Sequence, residues 1–320
     1  MKIILHKLLV VVFVGLFTNT LVAKEYKVAI FDYDIREKNK QSVAKYIEEK
    51  LLKSGLEFSN IDQFTGLERD DVSISVLKKL ENDNYDLIIS ITSDAMGPAE
   101  YRLKTTPWLF TNVNNPKFFG IGNYKYPGGN RSGVTYYVDS LKQLSFFNEI
   151  LNGKLKKIGL IFDHHAKSRP AELHDFRRAA IKLKMKHIIK VIQKKEELPL
   201  IVNEMIAKKV DAILLTSSGK LYNNIDLILN QSTQAKIPIF SVNRKGVPNG
   251  ALSALSSDYY KMVDENLISM VIDVLKYGKD PGTLPIQHLK NPLIYINQTQ
   301  SNKLGIIIPN AIKNKAAVTY

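Results

Sequence analysis

Short apolar runs alternate with amphipathic ones along most of this chain, and that alternation leaves few folds open. The pattern predicts strands over 26–31, 56–60, 87–91 and 107–113, with helices over 42–53 and 72–80 between them. In the first helix Val43, Tyr46, Ile47 and Leu51 fall on one face. Strands separated by helices pair in parallel, and the helices then cover both faces of the sheet. The segment "NYKYPGGNRSG" interrupts the rhythm. Its Pro127-Gly128-Gly129-Asn130 is a turn signal, and no Gly-Lys-Ser/Thr follows that would make it a phosphate loop. The rhythm then restarts. A helix over 140–151 precedes a strand over 157–162, and Leu173, Phe176, Ala180 and Leu183 share a helical face. A strand over 187–191, a helix marked by Leu198, Ile201, Val202 and Met205, and strands over 210–216 and 237–242 follow. A long helix over 258–277 aligns Val263, Leu267, Met270, Val271 and Val274; "GKDPGTLPI" is a linker and "LIYIN" a further strand.

The expected fold class is therefore α/β: two doubly wound parallel-sheet lobes joined by a multi-segment hinge. A chain of 320 residues is long enough for two such cores. The expected division is 1–23 as a signal peptide, 24–136 plus 259–320 as a discontinuous first lobe, and 137–258 as the second. Lys2 and Lys7 flank the start of an apolar run, Leu8 to Phe17, that is too short to span a bilayer. A short stretch of mostly small and polar residues ends at Ala23, so a cleaved leader and a periplasmic protein are expected. The absence of cysteine excludes disulfides, thiol nucleophiles, cysteine-based zinc sites and a lipid-modified N-terminus. A net charge of +14 raises nucleic acid as a partner. The lysines are scattered over helix faces and turns, with no helix-turn-helix or RNA-binding signature, so a solvated basic surface and no nucleic-acid partner are expected. No Walker loop, dinucleotide fingerprint or Gly-x-Ser-x-Gly elbow occurs, and His164, His165 and His174 lack metal-ligand spacing. No enzyme activity, metal or cofactor is predicted.

Several segments carry a resemblance: "GGNRSGVTYYVD", "KKIGLIFDHHAKSRP", "VDAILLTSSGKLYNN", "KIPIFSVNRKGVPNGALSALSSDYY", "GKDPGTLPI" and "INQTQSNKLGIIIP". With "IISITSDAM" they cover nearly all of the chain beyond the expected leader. In this order and spacing the chain resembles the tryptophan/tyrosine-type solute-binding proteins of ABC transporters, which have a type I periplasmic binding protein fold. The resemblance implies capture of a small organic ligand, an amino acid or an aromatic or related carboxylate. It also implies delivery to an inner-membrane ABC permease by a monomer that closes about a hinge. The alternative is a sensing role, in which the closed form docks on a receptor kinase. Two loops depart from the family pattern. Ile91-Thr92-Ser93-Asp94-Ala95 stands where the family is closer to Ala-Thr-Pro-Ala-Ala, and Asp163-His164-His165 stands where it usually has an Asn-Pro turn.

Ligands of open α/β sheets collect beyond the carboxyl ends of the strands. In the first lobe this names Tyr33 and Asp34, then Thr92, Ser93, Asp94, Ala95 and Met96, then Asn112. Tyr136 and Tyr137 lie at the first crossing, and the second lobe contributes Asp163, His164, Thr216, Ser217 and Asn243. The N–H groups from Ser93 to Met96 open a helix, whose positive end suits a ligand carboxylate. Asp94 opposes that unless it turns away or meets an ammonium. Phe31, Tyr33, Tyr136 and Tyr137 are candidates for an aromatic box. Ser217 and Asn243 offer neutral polar partners, and Asp163 or His164 a partner for a ligand amine or acid.

Overall fold

The computed structural model describes residues 24–34 and 42–320; the expected leader lies outside them. The first sheet contains β1 (Glu25–Asp32), β2 (Glu57–Thr65), β3 (Leu87–Ile91), β4 (Trp108–Val113) and β5 (Arg131–Thr135). They lie in the order β2-β1-β3-β4-β5, every pair parallel. The helices between them are α1 (Val43–Leu52), α2 (Asp70–Asn82) and α3 (Ser93–Arg102). The apolar face of α1 buries Ile47 and Leu51 against Val28, Ile30 and Ile89. On the opposite face, α2 and α3 pack Leu77, Leu80, Met96 and Ala99 against Phe31, Ile88, Trp108 and Phe110. Trp108 is fully buried and its indole N–H donates to Ser90 Oγ at 2.7 Å, so the one polar atom of the largest core side chain is satisfied.

The second sheet contains β6 (Lys157–Asp163), β7 (Lys186–Ile192), β8 (Ala212–Leu215), β9 (Ile239–Ser241), β10 (Ser253–Ser256), β11 (Leu293–Ile296) and β12 (Ala316–Thr319). Their order is β12-β11-β10-β9-β8-β6-β7, with β10 and β11 antiparallel. Helices α4 (Ser140–Ile150), α5 (Arg169–Lys182), α6 (Leu198–Ala207), α7 (Gly219–Tyr222) and α8 (Asp226–Gln234) follow in chain order. One face of the sheet carries α4 and α5, where Phe147 stacks on Phe240 with ring centroids 4.4 Å apart. Such a pair contributes about 1 kcal/mol beyond its buried area. The other face carries α6 to α8 through Val202, Met205, Leu221 and Ile228.

The chain then returns to the first lobe. The long helix expected over 258–277 runs without a break as α9 (Tyr259–Met262), a π-helical turn (Val263–Leu267) and α10 (Ile268–Leu275). Their predicted apolar stripe, Val263, Leu267, Met270, Val271 and Val274, is buried against the first sheet. The rest of the return divides differently from the expectation. Residues 293–320 do not belong to the first lobe. β11 pairs with β10 and β12 with β11, and α11 (Gln298–Leu304) and α12 (Asn310–Lys313) bury Leu304 and Ile312 in the second core. The physical reason is the free edge of β10, which offers unpaired backbone groups to the next apolar strand. Among the described residues the lobes are thus 24–34 and 42–136 with 259–289, and 137–258 with 293–320, and the chain crosses between them three times.

Gly128 (φ +73°) and Gly129 (φ +65°) of the PGGN turn supply its left-handed backbone, and the close approach is at Gly282. Gly128 N–H donates to the Gly282 carbonyl at 3.0 Å, and a Cβ on Gly282 would fall 2.0 Å from the Gly129 carbonyl oxygen. The turn and the "GKDPGTLPI" linker therefore clasp each other by close backbone approach.

Candidate functional site

The carboxyl ends of the two sheets meet. Side-chain hydrogen bonds and an ion pair join the lobes there. Asn114 Nδ2, after β4, donates to Glu172 Oε1 of α5 at 3.0 Å, and Asn115 Nδ2 donates to Asp175 Oδ2 at 2.7 Å. Lys167 forms an ion pair with Asp70.

On the first-lobe side, β3 runs into α3 through Thr92, which has φ +83° and makes no side-chain cap. Asn112 (φ +56°) and Asn115 (φ +41°) also adopt positive φ, conformations that cost non-glycine residues on the order of 1 kcal/mol each. Three such residues lie on this one rim. Ser93 Oγ accepts the Asn114 N–H at 2.8 Å, so it ties the β3 and β4 loops together instead of capping its own helix. The Thr92 and Thr111 hydroxyls and Asn112 Oδ1 are buried without a hydrogen-bond partner among the described residues. Ala95 and Met96 are wholly buried in the first core. Tyr33 donates to Asp70 Oδ1 at 3.0 Å and carries Lys167 4.9 Å above its ring, while Asp34 N–H donates to Asp32 Oδ1. Burial and the Asp70 carboxylate push the Tyr33 phenol up, so it stays a donor.

Tyr136 and Tyr137 sit on the first crossing. The Tyr136 ring lies 5.5 Å from that of Tyr259, which opens the second crossing, and Tyr137 donates to Asp175 Oδ2 at 2.7 Å. Burial raises both phenols, and Asp175 adds to the effect at Tyr137.

On the second-lobe side, Asp163 is 5% exposed and its oxygens are taken: Oδ1 accepts Lys220 Nζ at 2.8 Å and Oδ2 accepts Ser218 Oγ at 2.7 Å. Burial opposes its charge, yet these donors and the His165 N–H carry it below the usual carboxylate range. His164 is exposed, 3.0 Å from Arg169 Nη1, with its ring against His165. Thr216 is buried and donates to the Ile161 carbonyl, whereas Ser217 N–H donates to Glu172 Oε1 at 3.2 Å. Asn243 Nδ2 donates to the Tyr259 hydroxyl at 3.2 Å. Of the predicted residues, Ser93, Tyr136, Tyr137, Ser217 and Asn243 are thus drawn into one linked patch. Asp163 and His164 stand apart in a structural ion pair and a solvent-exposed turn.

The sequence reading did not single out Glu172, Asp175 or Tyr259. Both carboxylates are 6% exposed. Burial, only partly offset by hydrogen bonds from Ser217 and Asn114, raises the Glu172 carboxyl to about 7. A signal existed: Ser168, Glu172, Asp175 and Ala179 recur at helical spacing along one stripe of α5, and all four are buried. Between the lobes lies a cavity of about 20 Å³ bounded by Asn114, Tyr136, Tyr137, Gln143, Glu172 and Val242. That volume holds a water or two, so entry of an amino-acid-sized molecule requires the lobes to part. A larger hollow of about 510 Å³, around Lys24, Tyr26 and Asp86, shares no residue with this cleft.

Two α/β lobes, three crossings and a polar cleft at facing strand ends describe a hinged two-lobed receptor for small molecules. The family model described as ABC transporter substrate binding protein matches residues 27–319, and the chain belongs to that family. A tyrosine-binding protein of Clostridioides difficile is 28% identical over 271 residues, 82% of this chain and 75% of that protein. The crystal structure of an ABC domain in complex with L-Trp from Streptococcus pneumonia matches with a TM-score of 0.77 at 20% identity, covering 93% of this chain and 100% of that one. The ligand-free, open structure of a substrate-binding protein with adhesive properties from Clostridium difficile matches with a TM-score of 0.73 at 21% identity, covering 92% and 98%. These structures share the two-lobed type I fold. Among the described residues no helix is long and apolar enough to cross a membrane.

Proposed function

We propose that this protein is exported by a cleaved leader, captures a small amino acid or aromatic carboxylate between its lobes, and presents it to an inner-membrane ABC permease. The observation that carries the reading is the pairing of Asn114 with Glu172 and of Asn115 with Asp175. Each pair joins the loop after β4 to α5 across the cleft, so each forms only as the lobes shut. A ligand that adds contacts to both sides favours a form shut around itself, with a gap wider than the present one of about 20 Å³, by its differential affinity for that form. The tyrosine-binding relative and the neighbour solved with L-Trp support aromatic amino acids as the first class to test. The test is a thermal-shift and calorimetric screen of the mature chain against the common amino acids and aromatic acids. A ligand at a hundred times its Kd stabilises the fold by about 2.7 kcal/mol. Saturable binding with the compound recovered unaltered is expected. Turnover of the bound compound, or no binding across the panel, overturns the reading.

A further inference from the structure

The cavity between the lobes has an unusual wall. Glu172 is the acidic group on it, and its partners are neutral: Asn114 Nδ2, the Ser217 N–H and side chain and, at 3.4 Å, Ser168 Oγ. Its neighbour Asp175, one turn along α5, shows the contrast, with His174 at 3.4 Å and Arg178 at 3.8 Å. Gln143 lines the same cavity from α4 and is 6% exposed. Its Nε2 donates to the Val138 carbonyl at 3.0 Å, which fixes the amide orientation and leaves Oε1 as the free end. That Oε1 is buried without a partner among the described residues. One cavity therefore presents a carboxylate with no counter-charge and an unsatisfied acceptor, beside the rings of Tyr136 and Tyr137. A buried acceptor without a donor costs on the order of 1–3 kcal/mol, and a buried charge more. A ligand anion would worsen both; a ligand cation with several N–H donors relieves both, and aromatic faces favour it further.

We infer that Glu172 and Gln143 form the recognition pole for a protonated amine on the ligand, and that Glu172 sets specificity for amine-bearing solutes. The inference deepens the capture reading above and rests on it. A zwitterion would then lie with its ammonium against α5 and α4 of the second lobe and its carboxylate toward the start of α3 in the first. Asp163, read from the sequence as a partner for an amine, is already held by Lys220 and Ser218.

The test pairs L-tyrosine and L-tryptophan with their desamino acids, which lack only the amine, by calorimetry at pH 8 on the wild type and on Glu172→Gln. Gln keeps an oxygen for the Asn114 and Ser217 donors, so the variant should fold; circular dichroism and melting verify this. The expected result is at least tenfold tighter binding of an amino acid than of its desamino acid by the wild type, with that preference lost in Glu172→Gln. Desamino acids binding the wild type as tightly as the amino acids would overturn the inference while leaving capture intact. Full preference retained by Glu172→Gln would overturn it as well. Silence from all four probes overturns both this inference and the aromatic amino acid reading beneath it.

Discussion

Replacing Glu172 by Gln should make the protein without ligand more stable at high pH. In the shut form the Glu172 carboxyl is held up at about 7, against 4.5 for a free glutamate side chain. The gap corresponds to about 3 kcal/mol of linkage. The sign follows from the direction of the shift. A carboxyl raised in the native state contributes stability that is fully present below 4.5 and is lost as pH rises through 7, because the native state must then hold a buried charge. The substituted amide carries no such charge and can still accept from Asn114 and Ser217. Urea denaturation of both proteins at pH 5, 6, 7 and 8 should therefore give curves that diverge upward in pH. The variant should gain at least 1 kcal/mol on the wild type between pH 5 and 8, with about 3 kcal/mol as the ceiling. The gain falls short of that ceiling to the extent that parting the lobes rehydrates the carboxylate and relieves part of the burial cost. Parallel pH profiles, or a variant that loses ground toward pH 8, would show that Glu172 titrates like a solvated side chain and would refute the argument from burial.

Three further outcomes are expected. Tyr136→Ala removes one wall of the cavity and should weaken L-tyrosine binding at least tenfold in calorimetry, with the far-UV circular dichroism unchanged. Asp163→Asn removes the counter-charge of Lys220, leaving it the Gln193 carbonyl, and should cost about 1–2 kcal/mol in denaturant midpoint analysis at pH 7 while sparing binding. Because Asp163 sits below the usual carboxylate range, the wild type should lose that advantage as pH falls through its native value, and the two denaturation curves should converge in acid. Gly282→Ala drives a methyl into the Gly129 carbonyl and should lower stability by about 1–3 kcal/mol, read as a drop in Tm.

Much of the scaffold was legible because helix and strand periods are local. The apolar runs marked β1, β3, β4 and β6 to within a residue or two, and the stripe Val263–Val274 was buried as its spacing requires. β5 was hidden in a glycine-rich turn. It is a strand because Trp108, Leu109 and Phe110 of β4 offer an edge to Arg131, Ser132 and Gly133. β12 reads only "AAVT" and forms because β11 lies beside it. At the candidate site, rules about strand ends and crossings pointed to Ser93, Tyr136 and Ser217, which lie at the cleft. They missed Glu172 and Asp175, because carboxylates on a lysine- and arginine-rich helix read as a solvated face.

The order of strands and helices alone determined that this chain would build two wound, mostly parallel sheets with loops at their carboxyl ends. Only the tertiary structure decided that residues 293–320 complete the second sheet, and that two acids of α5 leave water. Their partners, Asn114 and Asn115, lie 58 and 60 residues away in the other lobe. Burial of a charge is a property of the surface that closes over it, and no local period encodes that surface.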